Sequence, residues 1–438
     1  MSCESLAEKL GIKIPRILLP SKEVDLTKWA VVACDQFTSE PKYWEQVDEI
    51  VGESPSTLRL ILPEVYLGSL KESEIMHQIK ETMTEYLQNG TLVERSEPGF
   101  VLVERSFENG KTRKGLIMSL DLDRYEWEPG NEATIRATEA TIASRIPPRL
   151  KVRNNASIEF PHIIVLIDDL KRTVIESLNT DYLECLYNFQ LMQGSGRIKG
   201  FWLGENEQFQ ILKALSEIYS SMLFAVGDGN HSMATAKAYW EERKKAGAAS
   251  DDPARFCLVE VENIHDEGIV FEPIHRLLIG VEADKVIGEF IEFLNLSGSV
   301  CVVQYGEDVF QAFMTKSNDR PDSVDSTHLI GICYKNKKGV VSVTRPCKKL
   351  AVSYLTDFLD DFVLKNSDVK IDYVHGLSAI DQFTGNLFSE NAFAFILPVM
   401  AKSDLFPAVM QDGILPRKTF SMGKAVEKRF YFEGKRIR

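Results

Sequence analysis

The chain contains 438 residues, of which 44% are hydrophobic and 26% charged, and its formal net charge at pH 7 is −13. This length can bury more than one core, and the ordinary composition excludes a disordered or fibrous protein. The negative charge argues against a nucleic-acid binder that works through a basic surface, while it leaves room for a local basic pocket that holds a small anion.

Hydropathy and cysteine spacing bear on the compartment in which the protein is expected to work. The longest apolar runs, such as Ala392–Val399, have the length of a strand, and the first residues lack the basic start and apolar stretch of a signal peptide. The seven cysteines include no pair with CxxC spacing, so neither a disulfide framework nor a zinc site is predicted. We expect a cytoplasmic protein whose partner is a small-molecule substrate rather than a nucleic acid or a membrane, with assembly into a homo-oligomer left open.

Hydrophobic periodicity and turn residues predict an α/β protein with mixed sheets in two or three packed lobes. Up to residue 280, the predicted strands are Trp29–Ala33, Gly99–Ser106, Thr112–Leu122, Phe160–Ile167, Phe201–Leu203, Met222–Val226 and Phe256–Val261. The predicted helices of this part are Pro41–Glu49, Glu72–Asn89, Ala133–Arg145, Glu207–Ser220 and one that starts at His231. The turn Asn109-Gly110 predicts a hairpin between the second and third strands.

After residue 280 the alternation of elements changes. The predicted strands are Val300–Tyr305, Leu329–Tyr334, Val340–Thr344, Val369–Tyr373 and Ala392–Ile396, and the predicted helices are Ala283–Phe293, Ser353–Val363, Leu377–Phe388 and Asp404–Asp412. We therefore divide the chain into an N-terminal α/β segment (1–85), a central β-rich and strand-turn-helix domain (86–280) and a C-terminal α/β domain (281–438).

The segment Ser221–Trp240 carries the strongest chemical signal: an apolar strand, an acidic Gly-rich turn and a helix start. Backbone N–H groups at a helix start lack internal partners and attract anions, and Gly229 lets a ligand approach the backbone closely. Asp228 is then a candidate for holding Mg²⁺ or a hydroxyl, and His231 for contacting a phosphate. The alternative is a structural turn in which Asn230 is the helix N-cap.

A second candidate segment runs from Arg136 to Thr141, within the predicted helix Ala133–Arg145. Residues three apart share a helix face, so Arg136 and Glu139 either form a surface ion pair of little energetic value or place Glu139 as a general base. The basic residues that follow, including Arg149, form either a solvated face or part of an anion pocket.

Three further segments contain candidate residues. Arg197 lies in a Gly-rich turn before the strand Phe201–Leu203. His275 and Arg276 follow a buried strand and either line an active-site rim or are structural. The basic loop Leu415–Lys424 offers Arg417 and Lys418 to a phosphate, although its spacing is not that of a P-loop.

Together, these segments resemble a bacterial and archaeal family catalogued as domain of unknown function 1015. The family's Asp-Gly-His-His-Arg box reads Asp228-Gly229-Asn230-His231-Ser232 here, and the match extends from about Ala33 to Phe432. The other matches are Thr138-Glu139-Ala-Thr141 with Arg149 for a His-Glu-x-x-Thr-type segment, Pro273-Ile-His275-Arg276 for a Pro-x-His-Arg box, and Pro416-Arg-Lys418-Thr419 for a Pro-x-Lys-Ser/Thr loop. Ser232 replaces the box arginine, so Arg197, Arg149 or Arg417 would have to supply a guanidinium that clamps phosphate.

The box with its upstream Glu is also similar to the ParB/sulfiredoxin-like superfamily over about residues 130–280. This resemblance implies that fold for the central part and the activity of its free-serine kinases, in which ATP or ADP with Mg²⁺ phosphorylates L-serine. The implied site comprises catalytic Glu139, Asp228 and His231, phosphate or nucleotide contacts from Gly229, Asn230, Arg149, Arg197, Arg417 and Lys418, substrate contacts from Thr141, His275 and Arg276, and Mg²⁺ on Asp228.

Two alternatives to a kinase remain open. One is a ParB-like module that binds or hydrolyses a nucleotide without kinase activity, and the other is a non-enzymatic scaffold in which the box only ends a strand. A kinase requires Glu139 close to the phosphate site, whereas the other two do not.

Overall fold

The computed structural model describes residues 2–32, 37, 40–66, 69, 72–128, 130–160, 162–319, 327–335, 337–376, 391–424 and 427–438. These residues form a mixed α/β structure, which confirms the predicted fold class. Within them, the α-helices are α1 (Cys3–Leu10), α2 (Leu26–Trp29), α3 (Pro41–Val51), α4 (Glu72–Gln88), α5 (Ile146–Asn155), α6 (Glu205–Glu217), α7 (Asn230–Lys245), α8 (Ala283–Leu296), α9 (Glu307–Asp319), α10 (Ala351–Lys365) and α11 (Leu405–Asp412).

The strands of the described residues are β1 (Ile12–Lys13), β2 (Leu18–Pro20), β3 (Val31–Val32), β4 (Leu92–Glu94), β5 (Phe100–Ser106), β6 (Thr112–Asp121), β7 (Tyr125–Glu126), β8 (Ile135–Ala137), β9 (Ile158–Glu159), β10 (Ile164–Ile167), β11 (Cys185–Gln190), β12 (Arg197–Leu203), β13 (Phe224–Asp228), β14 (Phe256–Asn263), β15 (Phe271–Ile279), β16 (Val300–Tyr305), β17 (His328–Tyr334), β18 (Lys337–Thr344), β19 (Lys370–His375), β20 (Ala392–Ile396), β21 (Phe420–Met422), β22 (Phe430–Tyr431) and β23 (Lys435–Arg436).

Contacts within the chain divide it into two compact units. The first contains Met1–Ile269 and Lys424–Arg438, and the second contains Val270–Gly423. The C-terminal segment therefore belongs to the same unit as the N-terminal half of the chain. The three-part division at residues 85 and 280 stays a prediction, as does the ParB/sulfiredoxin-like likeness of the central part.

The first unit is built on a sheet with the strand order β11-β12-β5-β6-β14-β10-β13-β8-β7, and β1 also pairs with β6. Alternate residues of β5 enter two different cores. Phe100 and Leu102 pack with residues of α1, α6 and α7, whereas Val101 and Val103 pack with residues of α3, α4 and the C-terminal segment. Because both faces of this sheet are covered, a central strand such as β10 is apolar and buried along its whole length.

The second unit has an antiparallel sheet with the order β16-β18-β17-β20-β15-β19, and β21 also pairs with β15. Residues of β20 alternate between its faces. Phe395 meets Phe290 of α8 in an edge-on ring contact, and Ile396 packs with Phe310 and Phe313 of α9. Helices therefore cover both faces of this sheet.

The hairpin predicted at Asn109-Gly110 is confirmed. Strands β5 and β6 pair from Val101↔Ile117 to Ser106↔Thr112, and Gly110 has a φ of 80°, a left-handed conformation that glycine adopts without strain. The predicted helix Leu377–Phe388 lies outside the described residues.

The predicted helix Ala133–Arg145 is wrong. Residues Ile135–Ala137 form β8, which pairs in parallel with β13, and the following residues form a loop. The next helix, α5, begins at Ile146 with two prolines in its first turn. Proline is tolerated there because the first N–H groups of a helix have no internal acceptor. These prolines therefore mark a helix start rather than the predicted stop.

Buried ion pairs attach the C-terminal segment to the sheet of the first unit. Arg429 Nη1 lies 2.8 Å from Glu260 Oε2, and Arg429 also pairs with Glu433. Within the sheet, on neighbouring strands, Arg113 Nε lies 2.8 Å from Oε1 of Glu262, a carboxyl group that burial keeps protonated up to about pH 8. All five side chains are at most 5% exposed, so the segment is an integral part of this unit.

The raised pKa of Glu262 should make the stability of the protein depend on pH. Burial raises its pKa to about 8, with help from Glu260 and Asp266 and against the opposing effect of Arg113. The folded protein then keeps a proton that the unfolded chain releases between about pH 4.5 and pH 8, so the free energy of unfolding falls as pH rises through this window.

We expect Glu262→Gln to flatten this dependence, by up to about 1.4 kcal/mol per pH unit. Urea unfolding at pH 5 and pH 8 measures the slope, and Glu97→Gln, at an exposed position, serves as control. A slope in Glu262→Gln equal to that of the wild type would contradict the raised pKa.

Candidate functional site

The Asp228–Ser232 box lies where β13 ends and α7 begins, inside the first unit. Asp228 is the last residue of β13, and Gly229 is the N-cap of α7 with a φ of 83°. Asp228 Oδ1 accepts a hydrogen bond from the Gly229 N–H at 2.9 Å. The N–H groups of Asn230 and His231 belong to the first turn, where the helix offers no acceptor, and the anion cradle expected there stays a prediction.

Glycine at 229 is required by conformation and by space. A Cβ atom there would lie 3.1 Å from Ile163 Cα, in addition to the strain of a positive φ. Gly247, after α7, has a similar φ of 90° but open space around it. We expect Gly247→Ala to lower the free energy of unfolding by about 1 kcal/mol and Gly229→Ala by clearly more, because Ile163 must also move. Denaturant titration of both variants measures the difference, and equal losses would contradict the close approach.

The loop between β8 and α5 is hydrogen-bonded to the box. The Thr138 N–H donates to Asn230 Oδ1 at 3.3 Å, and the Ile142 N–H donates to His231 Nε2 at 3.2 Å. Thr138 also donates its hydroxyl to Val226 O at 2.6 Å, which fixes the loop to β13. The alternative prediction that Asn230 is the helix N-cap is therefore wrong. Gly229 is the N-cap, and Asn230 is the first residue of α7 and uses its side chain to hold this loop.

The same loop contains Glu139 and Thr141, both partly exposed. Their position between Thr138 and Ile142 places the backbone of both residues beside the first turn of α7. The Thr141 hydroxyl oxygen is buried and has no hydrogen-bond partner within the described part of the chain. It can therefore donate to or accept from a ligand without breaking an existing bond there.

Three residues of the site were missed by the sequence analysis: His162, Lys428 and Tyr431. Lys428 Nζ lies 3.0 Å from Asp228 Oδ2. His162 lies 3.1 Å from the Ser232 hydroxyl through Nε2 and 2.8 Å from the Tyr431 hydroxyl through Nδ1. Lys428 and Tyr431 come from the far end of the chain, so no local pattern could link them to the box. The one local signal for this part of the site was a histidine just before the apolar run that contains β10.

The electrostatics of the box centre on Asp228. Burial alone would raise its pKa, but Lys428, His162 and the Gly229 N–H outweigh burial and hold the pKa below its usual value. Asp228 is thus ionised at neutral pH, and the stability that it contributes is lost only as pH falls through this lowered pKa.

Arg105 fixes the backbone that carries Lys428. Its guanidinium donates to the Lys428 carbonyl and to the Ser195 carbonyl, and it lies 4.9 Å from the ring centre of Phe430. Lys428 itself is 7% exposed. The ammonium group beside Asp228 is therefore held in place by buried contacts of its own backbone.

Two predicted phosphate ligands of the first unit lie at different distances from the box. Arg149 is on α5, which packs against α7, and it donates to the Arg145 carbonyl at 3.1 Å. Arg197 begins β12, five strand positions from β13, which corresponds to on the order of 20 Å across the sheet. Its side chain binds Asn188 at 2.6 Å. The structure therefore packs the helix of Arg149 against α7 and places Arg197 away from the box.

The remaining predicted site residues lie in the second unit. His275 is buried and accepts from the Leu397 N–H at 3.1 Å, and burial lowers its pKa to about 4. Arg276 is buried and donates to the Lys418 carbonyl at 2.9 Å. The side chains of Arg417 and Lys418 are exposed. The Pro-x-His-Arg box and the Pro-x-Lys-Thr loop thus contact each other within this unit.

The described residues hold neither a metal-binding cluster nor a membrane-spanning helix. Within the described ranges, no group of three or more His, Cys, Asp or Glu side chains is arranged to hold a metal ion. None of the described helices combines the length and the apolar composition needed to cross a membrane.

Comparison with known proteins identifies the family. The model of the family described as "Protein of unknown function (DUF1015)" matches residues 18–362, so the chain belongs to this family. No curated protein matches the chain.

Solved structures with a similar chain path are distant. A conserved hypothetical protein from Pyrococcus furiosus has 10% identity and a TM-score of 0.35, with 74% of this chain and 95% of that chain covered. A free serine kinase in complex with AMP has 10% identity and a TM-score of 0.38, with 75% and 93% covered. SbnI with a C-terminal truncation, from Staphylococcus aureus, has 9% identity and a TM-score of 0.33, with 70% and 82% covered.

Proposed function

We propose that this protein is a nucleotide-dependent phosphotransferase whose acceptor is a small alcohol, with L-serine as the first candidate. The carrying observation is that the loop with Glu139 is hydrogen-bonded to the first turn of α7 through Asn230 and His231. Phosphoryl transfer to an alcohol needs a proton acceptor beside the phosphate site, whereas a scaffold in which the box only ends a strand does not.

The phosphate would bind at the helix start. The N–H groups of Asn230 and His231 would hold its oxygens, since helix N-termini attract anions. Lys428, fixed beside Asp228, would supply the cation that the box lacks at Ser232. This assignment replaces Arg197, which is too distant, and keeps Arg149 as an additional contact.

The acceptor would bind between this cradle and the loop. Glu139 would take the proton of the acceptor hydroxyl, and the Thr141 hydroxyl would orient the acceptor. The new O–P bond forms as the P–O bond to the rest of the nucleotide breaks, and Lys428 offsets the charge on the transferred group.

A magnesium ion fits part of this site. Mg²⁺ prefers carboxylate and phosphate oxygens, and Asp228 offers one ionised carboxylate at the cradle. When bound, Mg²⁺ would neutralise phosphate charge there. Asp228 would share it with the nucleotide, because the described residues provide no larger cluster of ligands.

The second-unit residues receive different roles. The side chains of Arg417 and Lys418 are exposed, and their role as phosphate contacts stays a prediction. We reassign His275 and Arg276 to a structural role, since both are buried and already hold backbone groups.

A thermal-shift titration tests the proposed function. ATP, ADP and CTP are each added with Mg²⁺, with and without L-serine, because a ligand of the folded state raises the melting temperature by mass action. We expect a nucleotide-dependent rise that grows with serine. A rise that is the same with and without L-serine would favour the nucleotide-binding module, and no rise with any nucleotide would refute the proposal and favour a scaffold.

A further inference from the structure

The serine that replaces the box arginine is paired with a base. Ser232 Oγ lies 3.1 Å from His162 Nε2, and Tyr431 Oη lies 2.8 Å from His162 Nδ1. A hydroxyl within hydrogen-bond reach of a base that a third group orients is the arrangement of an activated nucleophile. The arrangement is assembled from three separate parts of the first unit: α7, the segment just before β10, and β22.

The two hydrogen bonds of this histidine suit proton transfer to Nε2. With its proton on Nδ1, His162 donates to Tyr431 Oη, and Nε2 accepts the Ser232 O–H.

Ser232 also stands next to the phosphate cradle. It is the third residue of α7, directly after Asn230 and His231, whose N–H groups form the cradle. Its own N–H bonds to the Gly229 carbonyl at 2.9 Å, which fixes the backbone of the serine. A phosphate in the cradle is therefore within one helical turn of an activated hydroxyl.

We propose that Ser232 accepts the terminal phosphoryl group of a bound nucleoside triphosphate, so that the protein phosphorylates itself. This inference rests on the proposed function, because it requires a nucleotide in the cradle. The Ser232 Oγ–P bond forms, the bond from that phosphorus to the bridging oxygen breaks, the nucleoside diphosphate leaves with the electron pair, and the hydroxyl proton passes to His162 Nε2.

The product would be stabilised where it forms. Phosphoserine in the first turn of a helix gains from the helix dipole and from unpaired N–H groups. It would also occupy the cradle, so we expect the phosphorylated protein to bind nucleotide more weakly than the unmodified protein.

The test is incubation of the full chain with MgATP, followed by intact mass measurement and mapping of phosphopeptides. We expect one phosphoryl group on Ser232 in the wild type and in Ser250→Ala, a control at an exposed serine, but none in Ser232→Ala. His162→Gln should slow the reaction by at least roughly tenfold, as loss of a general base does. Melting temperatures with and without MgATP are recorded for every variant.

The outcomes separate the two proposals. A melting-temperature rise with MgATP in Ser232→Ala shows that this variant folds and binds nucleotide. A wild type that binds nucleotide but gains no phosphate, or gains it equally in Ser232→Ala, overturns the self-phosphorylation and leaves the proposed function standing. A wild type whose melting temperature does not respond to any nucleotide overturns both.

Discussion

Asp228→Asn is expected to weaken nucleotide binding by roughly 10- to 100-fold, which corresponds to the loss of one charge-assisted contact of about 1.5–3 kcal/mol. Asp228 places the Lys428 ammonium beside the cradle through the 3.0 Å contact and offers the carboxylate at which Mg²⁺ would bind. Asparagine keeps an oxygen for the Gly229 N–H and removes only the charge. Calorimetric titration with ADP or ATP, with and without Mg²⁺, measures the affinity.

The control for this variant is Asp251→Asn, an exposed aspartate in the loop after α7. It should bind nucleotide as the wild type does. In Asp228→Asn the free energy of unfolding should also fall, by about 1–3 kcal/mol, because a nearly buried lysine loses its counter-charge. An Asp228→Asn affinity equal to that of the control would remove Asp228 from the binding site.

Glu139→Gln is expected to lower turnover by about 10²- to 10⁴-fold while nucleotide binding stays unchanged, since the amide cannot accept the proton of the acceptor hydroxyl. The loop itself should keep its place, because its hydrogen bonds to Asn230 and His231 come from the backbone of Thr138 and Ile142. Turnover is measured as phosphoserine formed from ATP or ADP and L-serine.

Glu132→Gln, at an exposed position before β8, is the matched control and should keep full turnover. Comparable turnover in Glu139→Gln and Glu132→Gln would exclude Glu139 as the base. Loss of nucleotide binding in Glu139→Gln would instead show that Glu139 shapes the cradle.

Local sequence signals predicted those parts of the fold that depend on neighbouring residues. The Asn109-Gly110 turn predicted a hairpin because it favours a tight turn between two apolar strands, and the structure pairs those strands. The apolar run before Asp228 and the helix-forming residues after His231 likewise predicted the strand, turn and helix of the box.

Pairing between distant strands explains why the predicted helix Ala133–Arg145 was wrong. The stretch around Arg136 and Glu139 is rich in residues that are compatible with a helix, but parallel pairing with β13 makes Ile135–Ala137 a strand. Helix propensity is worth less than one kcal/mol per residue for ordinary residues, so tertiary pairing outweighs it. Such pairing leaves no trace in the local pattern.

The candidate site was predicted only in part for the same reason. Tyr431 and its partner His162 are 269 residues apart in the chain, and Lys428 reaches Asp228 through a C-terminal segment that returns to the first unit. That return depends on buried contacts such as Arg429 with Glu260. A spacing rule within one segment cannot reveal a site assembled in this way.

The most direct test of the phosphotransferase is phosphorus NMR of the purified protein incubated with L-serine, Mg²⁺ and either ATP or ADP. The proposed function predicts a new phosphomonoester signal that matches O-phosphoserine and grows as the nucleotide loses its terminal phosphate. Nucleotide that binds but stays intact, or that releases only inorganic phosphate in the presence of serine, would contradict it.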